Sequence, residues 1–354
     1  MIVSLGMLAH NEAHGIGRTL ASLFAQSVFH AEAARSGVTE WEIVVVPNGC
    51  TDATGEVAQR VLAETVSNLR GTAVRHSVRE LVQSGKSNAW NHYIHEMSRQ
   101  DADVIVMVDS DIEFGHVDTI LNCLIELRSN TRAKVVVDLP LKDFLKKKRL
   151  SLIESISARS SAIQLSEDIG LSGQFYCAHA RTLRQVWMPI GLSGEDGYLK
   201  GMIVTDLFRA PFDPARIARA ENASHYYEGL SDLRSIFRHE LRMVIGTSLN
   251  GYFLWDFLIF ATDPTGPGAS TLVRNWLAAD PTWYRRTLEN HIRNRGWFVV
   301  PKSMIFRRFE ALRGQSWSIA LRRIPIALIG FALDIPVFWL ANKKLRSGKA
   351  FGFW

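Results

Sequence analysis

Hydrophobic and polar positions along the first 140 residues alternate between two patterns. Short, β-branched apolar runs occur at 2–8, 42–46, 104–108 and 134–137, with a weaker run at 72–76. Such nearly continuous runs are typical of strands covered on both faces, as in a parallel sheet. Between them, apolar residues recur at helical spacing, for example at Ile16, Leu20, Leu23 and Phe24. Repeated β-α units of this kind predict an open, mostly parallel α/β sheet flanked by helices.

The same reasoning predicts further elements along the chain. Helical faces cover 57–69, 90–97 and 120–127. Thr51-Asp52 and Ser87 are favourable N-cap residues, so the second and third helices are expected to begin there. Beyond residue 140 the pattern predicts a helix over 150–165, a strand and then a helix over 173–186, and a long helix over 234–260.

A strongly apolar segment lies near the C-terminus, at 324–341. It is interrupted by Pro325, Asp334 and Pro336, and it is bracketed by Arg322-Arg323 and Lys343-Lys344. Its length is close to that of a membrane span, but cations at both ends give no inside-outside asymmetry. We interpret it as a segment that lies in or dips into a membrane surface, with snorkelling cations at its edges. The alternative is a buried helical hairpin of an ordinary soluble domain.

Composition and charge limit the number of domains and the cellular compartment that we expect for this protein. The chain has 354 residues, 47% of them hydrophobic, which is enough for one large domain or two ordinary ones. Its net charge of +6 is a local feature, because residues 302–349 hold ten Lys or Arg against two acids. Three widely spaced cysteines fit neither a disulfide framework nor a CxxC metal site, so we expect a reducing, cytoplasmic setting. The N-terminus lacks the basic region of a signal peptide and is predicted to form a strand.

Polar segments follow several of the predicted strands and open the next helix. They are Ala9-His10-Asn11-Glu12, Pro47-Asn48-Gly49-Cys50-Thr51-Asp52 and Gly85-Lys86-Ser87-Asn88. Free backbone N–H groups at a helix start suit anionic groups such as a diphosphate. Each segment alone is a weak signal, but ligands of open α/β sheets bind beyond the carboxyl ends of the strands, where all three lie.

Asp109-Ser110-Asp111 follows the apolar run at 104–108. Two neighbouring carboxylates repel one another unless a cation or hydrogen-bond donors compensate. A hard divalent ion such as Mg²⁺ or Mn²⁺ is the natural compensator, since it takes oxygen ligands from one or two carboxylates and from substrate phosphates. The alternative is a pair of solvated loop acids.

A second acidic pair, Glu195-Asp196, lies in a glycine-rich segment. Glycine on both sides permits close approach to a ligand. A carboxylate here is suited to act as a general base, and it is equally suited to cap a helix.

The order of these motifs resembles that of family 2 inverting glycosyltransferases with the GT-A fold. The segments 171–181 and 194–199 are similar to the family's acceptor-side region and its Glu-Asp motif. The resemblance covers about residues 1–210 and implies a catalytic domain over 1–230, followed by a helical C-terminal region over 231–354. It implies a nucleotide-sugar donor, a divalent metal (Mn²⁺ or Mg²⁺) and a glycan or lipid-linked acceptor in envelope or exopolysaccharide synthesis. No nucleic-acid partner is expected.

The resemblance also implies roles for individual residues. Ala9, Asn11, Glu12 and Ser110 would belong to the nucleotide-sugar site, with Glu12 toward the base and ribose. Lys86 would lie near the diphosphate, Asp109 would meet the ribose or metal, and Asp111 would coordinate the metal. Asp196 would deprotonate the acceptor hydroxyl, with Glu195 assisting.

The nucleoside is the least defined part of the predicted donor. Asn48 stands where the family usually carries an Asp beside the base, and Pro47 replaces another frequent Asp. Uracil is the favoured base under the resemblance, but an Asn also suits guanine or thymine.

Histidines supply one further candidate metal ligand. His225 resembles a His that some GT-A enzymes use as an additional metal ligand, and the alternative is a satisfied loop histidine. His92 and His95 share a helical spacing but lack a third soft ligand, so we expect a surface role for them.

Two rival functions remain at this stage. A nucleotidyltransferase shares the sheet and the metal chemistry, but a Gly-rich, basic signature after the first strand is absent here. The other rival is a non-catalytic subunit that binds a nucleotide sugar or serves as a membrane scaffold. The presence of Asp109, Asp111 and Asp196 together argues against it. The basic and apolar C-terminal region favours peripheral binding to an anionic membrane surface on its cytoplasmic face.

Overall fold

The computed structural model describes residues 1–30, 33–69, 73–147, 169–230, 232–310 and 317–351, together with Leu312 and Gln315. The helix predicted over 150–165 lies outside these residues. Eight strands are described: β1 (Ile2–Ala9), β2 (Glu40–Pro47), β3 (Ala73–Val78), β4 (Val104–Asp109), β5 (Glu113–Phe114), β6 (Val135–Lys142), β7 (Phe175–His179) and β8 (Ile217–Tyr227).

All eight strands form one mixed sheet in the order β3-β2-β1-β4-β7-β6-β8-β5. The first four strands are parallel to one another. Strand β7 is antiparallel to both β4 and β6, and β6 is parallel to β8. The α/β prediction is therefore confirmed, and the parallel part is the one that the repeated β-α pattern encodes.

The helices cover the sheet and then continue beyond it. They are α1 (Ile16–Phe24), α2 (Ala33–Ser36), α3 (Thr54–Asn68), α4 (Lys86–His92), α5 (Thr119–Ser129), α6 (Ala180–Leu183), α7 (Glu195–Val204), α8 (Leu233–Asn250), α9 (Ile259–Ala261), α10 (Ala269–Ala279), α11 (Trp283–Arg293), α12 (Lys302–Glu310) and α13 (Trp317–Arg346). Turns of π-helix at Tyr93–Met97 and Gly251–Leu258 continue α4 and α8. Short 3₁₀ turns occur at Ser27–Phe29, Asp143–Lys146 and Pro214–Arg216.

The predicted helix starts are only partly right. The prediction that Ser87 caps the third helix is wrong, because Ser87 lies inside α4 and is buried. Helix α3 begins at Thr54, and Asp52 still accepts a hydrogen bond from the Thr54 backbone N–H at 3.1 Å. The cap residue therefore acts two positions before the helix rather than next to it.

Two hydrophobic cores fill the two faces of the sheet. One contains Val3, Leu5 and Met7 of β1 together with apolar residues of α1, α3 and α5. The other joins Leu8 and Trp90 to apolar residues of α7, α8 and α10 to α13. The helical C-terminal region thus shares its core with the sheet, and the division of the chain at residue 230 stays a prediction.

The apolar C-terminal segment lies in α13, which continues through Pro325 and Pro336. The alternative of a buried hairpin is therefore wrong. Asp334 faces inward with 3% exposure and pairs with Arg307 and Arg308. The outward face carries large apolar side chains, namely Leu321, Ile324, Leu328, Ile329, Leu333, Ile335 and Trp339.

Two helical segments among the described residues are long and apolar enough to cross a bilayer, Arg234–Ala261 and Arg323–Arg346. More than half of the first is buried against other helices, whereas most of the second is exposed. The second is therefore the one whose apolar surface still lacks a partner in the described part of the chain.

Candidate active site

The candidate site lies at the carboxyl ends of β1, β2 and β4. At this edge the N-terminus of α4 brings Lys86, and the N-terminus of α7 brings Glu195 and Asp196. Parallel strands end at one edge, and each following helix starts there, so the polar motifs predicted from the sequence gather on one side of the sheet.

Lys86 connects the strand-end acid to the later acidic pair. Its Nζ lies 2.7 Å from Asp109 Oδ2 and 3.3 Å from Glu195 Oε1, and it donates to the Gly173 carbonyl at 3.3 Å. Burial alone would lower the pKa of Lys86, but the two carboxylates outweigh burial and raise it. Lys86 therefore carries a positive charge between two negative ones.

Asp109 is held firmly at the end of β4. Its backbone N–H donates to the Gln174 carbonyl at 2.7 Å. Burial raises the pKa of Asp109 to about 6, opposed by Lys86 and reinforced by the nearby Asp111. Burial likewise raises the pKa of Glu12, again with help from Asp111. This edge thus carries more negative charge than its single lysine offsets.

The carboxylates at the end of β4 suit a hard divalent ion. Asp111 is exposed, and it lies close enough to Asp109 and Glu12 to raise the pKa of each. Within the described residues, no group of three or more His, Cys, Asp or Glu is arranged to hold a metal ion by itself. An open pair of carboxylates is what Mg²⁺ or Mn²⁺ commonly uses when substrate phosphates and water complete its shell. Asp111 and Asp109 therefore fit such an ion.

His225 is placed differently from the prediction. It lies on β8 with 0% exposure, and its Nδ1 is 2.8 Å from Asp138 Oδ1. Its Nε2 lies 3.2 Å from Gln174 Oε1. Both ring nitrogens thus have protein partners. These contacts match the alternative, a satisfied histidine, and the role of His225 as a metal ligand stays a prediction.

Asn48 holds two loops together. Its Nδ2 donates to the Ala9 carbonyl at 2.8 Å, and its Oδ1 accepts from the Gly85 backbone N–H at 3.0 Å. The side chain is 4% exposed. The amide is therefore committed to joining the ends of β1 and β2 to the start of α4, and contact with a nucleobase stays a prediction.

The loop after β1 is tied to the loop after β2. Asn11 has a φ of 57°, a left-handed conformation that Asn tolerates better than most residues. Its Oδ1 accepts from the Thr51 backbone N–H at 2.8 Å. The Glu12 backbone N–H donates to Thr54 Oγ1 at 2.8 Å, while its carbonyl begins α1. These bonds form one rigid rim, with Asn11 exposed on it.

Ser110 lies below this rim and is buried. Its carbonyl accepts from Thr19 Oγ1 at 2.7 Å. This bond ties the turn between Asp109 and Asp111 to α1. A contact between Ser110 and a donor sugar stays a prediction.

Glu195 and Asp196 form the first turn of α7. Gly194 precedes them with a φ of 77°, which favours glycine. Asp196 Oδ1 accepts from the Gly197 backbone N–H at 2.7 Å. Burial, and then the charge of Glu195, raises the pKa of Asp196. A raised pKa makes this carboxylate a better proton acceptor, which suits a general base. Gly194 is the N-cap of α7 and no side chain caps it, so Asp196 does not serve as the helix cap.

A small cavity connects the acids. Its lining includes the charged residues Lys86, Asp109, Glu195 and Asp196, together with Gly173, Trp90, Tyr176 and Met188. A Cβ on Gly173 would lie 3.4 Å from both Lys86 Nζ and Glu195 Oε1. Gly173 therefore lies directly beside the charged groups, and a Cβ there would be in van der Waals contact with them.

Three residues of this region escaped the sequence reasoning, namely Asp138, Gly173 and Gln174. Gln174 joins Asp109 to His225 through its backbone carbonyl and its side chain. Asp138 gave a usable signal, because an acid inside the apolar run of β6 needs a buried partner. Gly173 and Gln174 gave none beyond their place in the 171–181 segment.

Comparison with known families identifies the class of the protein. The model of the glycosyl transferase family 2 matches residues 4–186, more than half of the chain. The chain belongs to this family, and it is a glycosyltransferase with a GT-A-like fold.

One solved structure supports the same fold, and a second is reported beside it. The mannosyltransferase PcManGT from Pyrobaculum calidifontis, in complex with GDP-Man and Mn²⁺, is similar over 99% of this chain and 87% of its own, with 16% identity and a TM-score of 0.53. Glucosyl-3-phosphoglycerate synthase from Mycobacterium tuberculosis, in complex with Mn²⁺, UDP and phosphoglyceric acid, covers 70% of this chain and 76% of its own, with 18% identity and a TM-score of 0.43. A search of curated protein sequences gave no match.

Proposed function

We propose that this glycosyltransferase moves a sugar from a nucleoside diphosphate donor to an acceptor hydroxyl, with inversion at the anomeric carbon and with the help of a divalent metal. The observation that carries the proposal is the Lys86 bridge, which holds Asp109 at the donor edge beside Glu195 and Asp196. A residue proposed to bind the sugar donor and a proposed proton acceptor thus line the same cavity.

The donor side supports binding of a metal diphosphate. Asp111 and Asp109 would hold Mn²⁺ or Mg²⁺, and the similar mannosyltransferase was solved with Mn²⁺ and a nucleotide sugar. When bound, the ion supplies charge neutralisation for the diphosphate leaving group. Lys86 and the N-terminus of α4 add positive potential at the same edge. Ala9, Asn11, Glu12, Asn48 and Ser110 complete the proposed nucleotide-sugar site.

Asp196 is the proposed general base. Its raised pKa suits removal of a proton from the attacking hydroxyl, and Glu195 assists by holding Lys86. The acceptor oxygen attacks from the side opposite the leaving diphosphate, so one displacement inverts the anomeric configuration. No covalent bond between sugar and enzyme is required.

The acceptor is proposed to be a glycan or a lipid-linked sugar of envelope or exopolysaccharide synthesis, with UDP as the favoured donor nucleotide. The GDP-Man of the similar mannosyltransferase makes guanine the first alternative. A non-catalytic scaffold role is disfavoured, because a binding subunit has no need of a buried acid with a raised pKa beside the donor edge.

A peripheral site on the cytoplasmic face of a membrane is the second part of the proposal. The outward face of α13 is apolar over 321–339, and its one acid, Asp334, points inward to two arginines. Lys343 and Arg346 follow this face and are exposed. An apolar helix face that ends in cations matches an anionic lipid surface, which would also concentrate a lipid-linked acceptor.

Donor use is tested by a screen of UDP-sugars and GDP-sugars for Mn²⁺-dependent binding and release of nucleoside diphosphate. We expect turnover with at least one donor, its loss with EDTA, and loss of metal-dependent binding in Asp111→Ala. Glu64→Ala, an exposed acid on α3, serves as the control and should behave as wild type. Mn²⁺-dependent binding by Asp111→Ala equal to that of wild type would contradict the metal assignment.

Membrane binding is tested by flotation with phosphatidylcholine vesicles with and without phosphatidylglycerol. The triple variant Leu328→Ser, Ile329→Ser and Leu333→Ser removes exposed apolar surface from α13. We expect wild type to float with anionic vesicles and the variant to stay in the soluble fraction. Val82→Ser, Val117→Ser and Ile190→Ser remove equally exposed side chains elsewhere and should float. If wild type and the α13 variant float to the same extent, the proposal that α13 binds a membrane surface is wrong.

A further inference from the structure

The last turn of α8 packs directly on the turn that carries the acidic pair. Asn250, the final residue of α8, donates from Nδ2 to the Gly194 carbonyl at 2.5 Å. A Cβ on Gly246, one turn earlier, would lie 3.4 Å from the Ser193 carbonyl oxygen. Two positions of α8 thus contact the residues immediately before Glu195.

The fit around the Asn250 amide is tight. A Cβ on Gly194 would lie 2.9 Å from Asn250 Nδ2, and a Cβ on Gly197 would lie 3.1 Å from the same atom. The amide therefore occupies space that only glycine leaves open on both sides of Glu195 and Asp196. Glycine at 197 costs helix propensity, which the close approach of Asn250 accounts for.

Asn250 is polar at a place where packing favours an apolar residue. It is 7% exposed, its neighbours Leu249, Tyr252 and Phe253 are buried, and its Oδ1 meets no hydrogen-bond donor within the described residues. A buried polar atom without a partner costs stability. An amide kept there despite that cost indicates that the bond to Gly194 serves the site rather than the core.

The Gly194 carbonyl is the geometric start of α7. It accepts from the Tyr198 backbone N–H at 3.2 Å as well as from Asn250. Its position fixes the following peptide group and, through it, the directions of the Glu195 and Asp196 side chains. Glu195 then faces Lys86, and Asp196 faces the cavity that Lys86 and Asp109 also line.

We propose that Asn250 is a positioning residue for the proton-accepting turn: it anchors the Gly194 carbonyl so that Asp196 meets the acceptor hydroxyl. This inference rests on the proposed function. Asn250 contacts neither the donor edge nor the metal carboxylates, so its loss affects the rate of the chemical step rather than binding of the nucleotide. Misplacement of a reacting group by a fraction of an ångström lowers rates steeply.

The test compares Asn250→Leu and Asn250→Asp with wild type. Leu fills the space without the hydrogen bond, and Asp keeps the shape but replaces the donor with an oxygen. Ser248→Ala is the matched control, because the Ser248 hydroxyl is buried in the same helix and bonds only to its own helix, at the Val244 carbonyl. The measured quantities are kcat and KM for the donor found in the screen, and binding of UDP and GDP with Mn²⁺.

We expect both Asn250 variants to lose kcat by on the order of 100-fold while nucleotide–Mn²⁺ binding changes by less than about threefold. Ser248→Ala should keep kcat near wild type. Unchanged kcat in Asn250→Leu and Asn250→Asp would overturn the inference, as would a parallel loss of kcat and nucleotide binding in both variants. If Asn250→Leu does not fold, Asn250→Asp decides the outcome. A wild-type chain without turnover on any donor would instead overturn the proposed function, and this inference with it.

Discussion

Lys86 Nζ lies 2.7 Å from Asp109 Oδ2, so the first residue of α4 neutralises the last residue of β4. The two are separated by strand and helix in the chain but meet at the sheet edge. The same ammonium reaches Glu195, so it connects the proposed donor edge with the proposed proton-accepting turn.

Replacement of Lys86 by Met removes the only ammonium that these acids contact in the described residues. The carboxylates of Asp109 and Glu195 then repel without compensation, and the donor edge loses positive charge. We expect binding of UDP or GDP with Mn²⁺ to weaken at least about tenfold, as for loss of a partly buried charged contact. Titration calorimetry measures this, with Arg60→Ala on the exposed face of α3 as the control. Unchanged affinity would place the diphosphate elsewhere.

Activity should have an acid limit set by Asp196. A general base works only when deprotonated, so kcat falls as the pH drops through its pKa, and a raised pKa moves that fall to higher pH. Glu195→Gln removes the like charge that helps to raise the pKa of Asp196, so the acid limb should shift to lower pH. The profile of kcat at saturating donor and metal checks this. A shift to higher pH would argue against Asp196 as the titrating group.

Asp334 is expected to stabilise the packing of α12 on α13. Its carboxylate is buried between Arg307 and Arg308, which are only partly exposed. Asp334→Asn removes the carboxylate that pairs with Arg308 and leaves Arg307 with Glu240 as its partner at 2.6 Å. We expect a loss of about 2 kcal/mol in the free energy of unfolding. Urea unfolding measures it against Glu310→Ala, an exposed acid on α12. Equal stability of the two variants would contradict this role.

Gly6 makes room for Tyr93 against β1. A Cβ at residue 6 would lie 2.3 Å from the Tyr93 ring, which is fully buried and bonds to Ser4 Oγ at 2.9 Å. Gly6→Ala is therefore expected to destabilise the fold by about 3 kcal/mol, as for other overpacked cores. At Gly170 a Cβ would meet nothing within 4 Å, so Gly170→Ala should leave the thermal midpoint unchanged.

Local patterns were sufficient to predict the sheet. Strands β1, β2 and β4 are covered on both faces, and their apolar runs mark them within one or two residues. The position of Asp109 and Asp111 at the end of β4 could be predicted in the same way, from the residues of that segment alone. These features depend on the residues of one segment, which the sequence displays directly.

Contacts between distant segments were not predictable in the same way. His225 meets Asp138 because β6 and β8 pair across 87 positions of the chain, and no spacing rule encodes that pairing. The Asn48 amide forms hydrogen bonds to two loops that come together only in the folded protein. Asn250 lies in a helix whose sequence pattern indicates only its buried face, so its contact with Gly194 had no local signal.

The most direct test of the account is Asp196→Asn, measured for donor binding and for turnover on the same preparation. Asn keeps the size of the side chain and its place at the start of α7 but cannot accept the acceptor proton. The account predicts nucleotide–Mn²⁺ binding within about twofold of wild type and a kcat lower by on the order of 1,000-fold. Turnover equal to that of wild type would contradict the account.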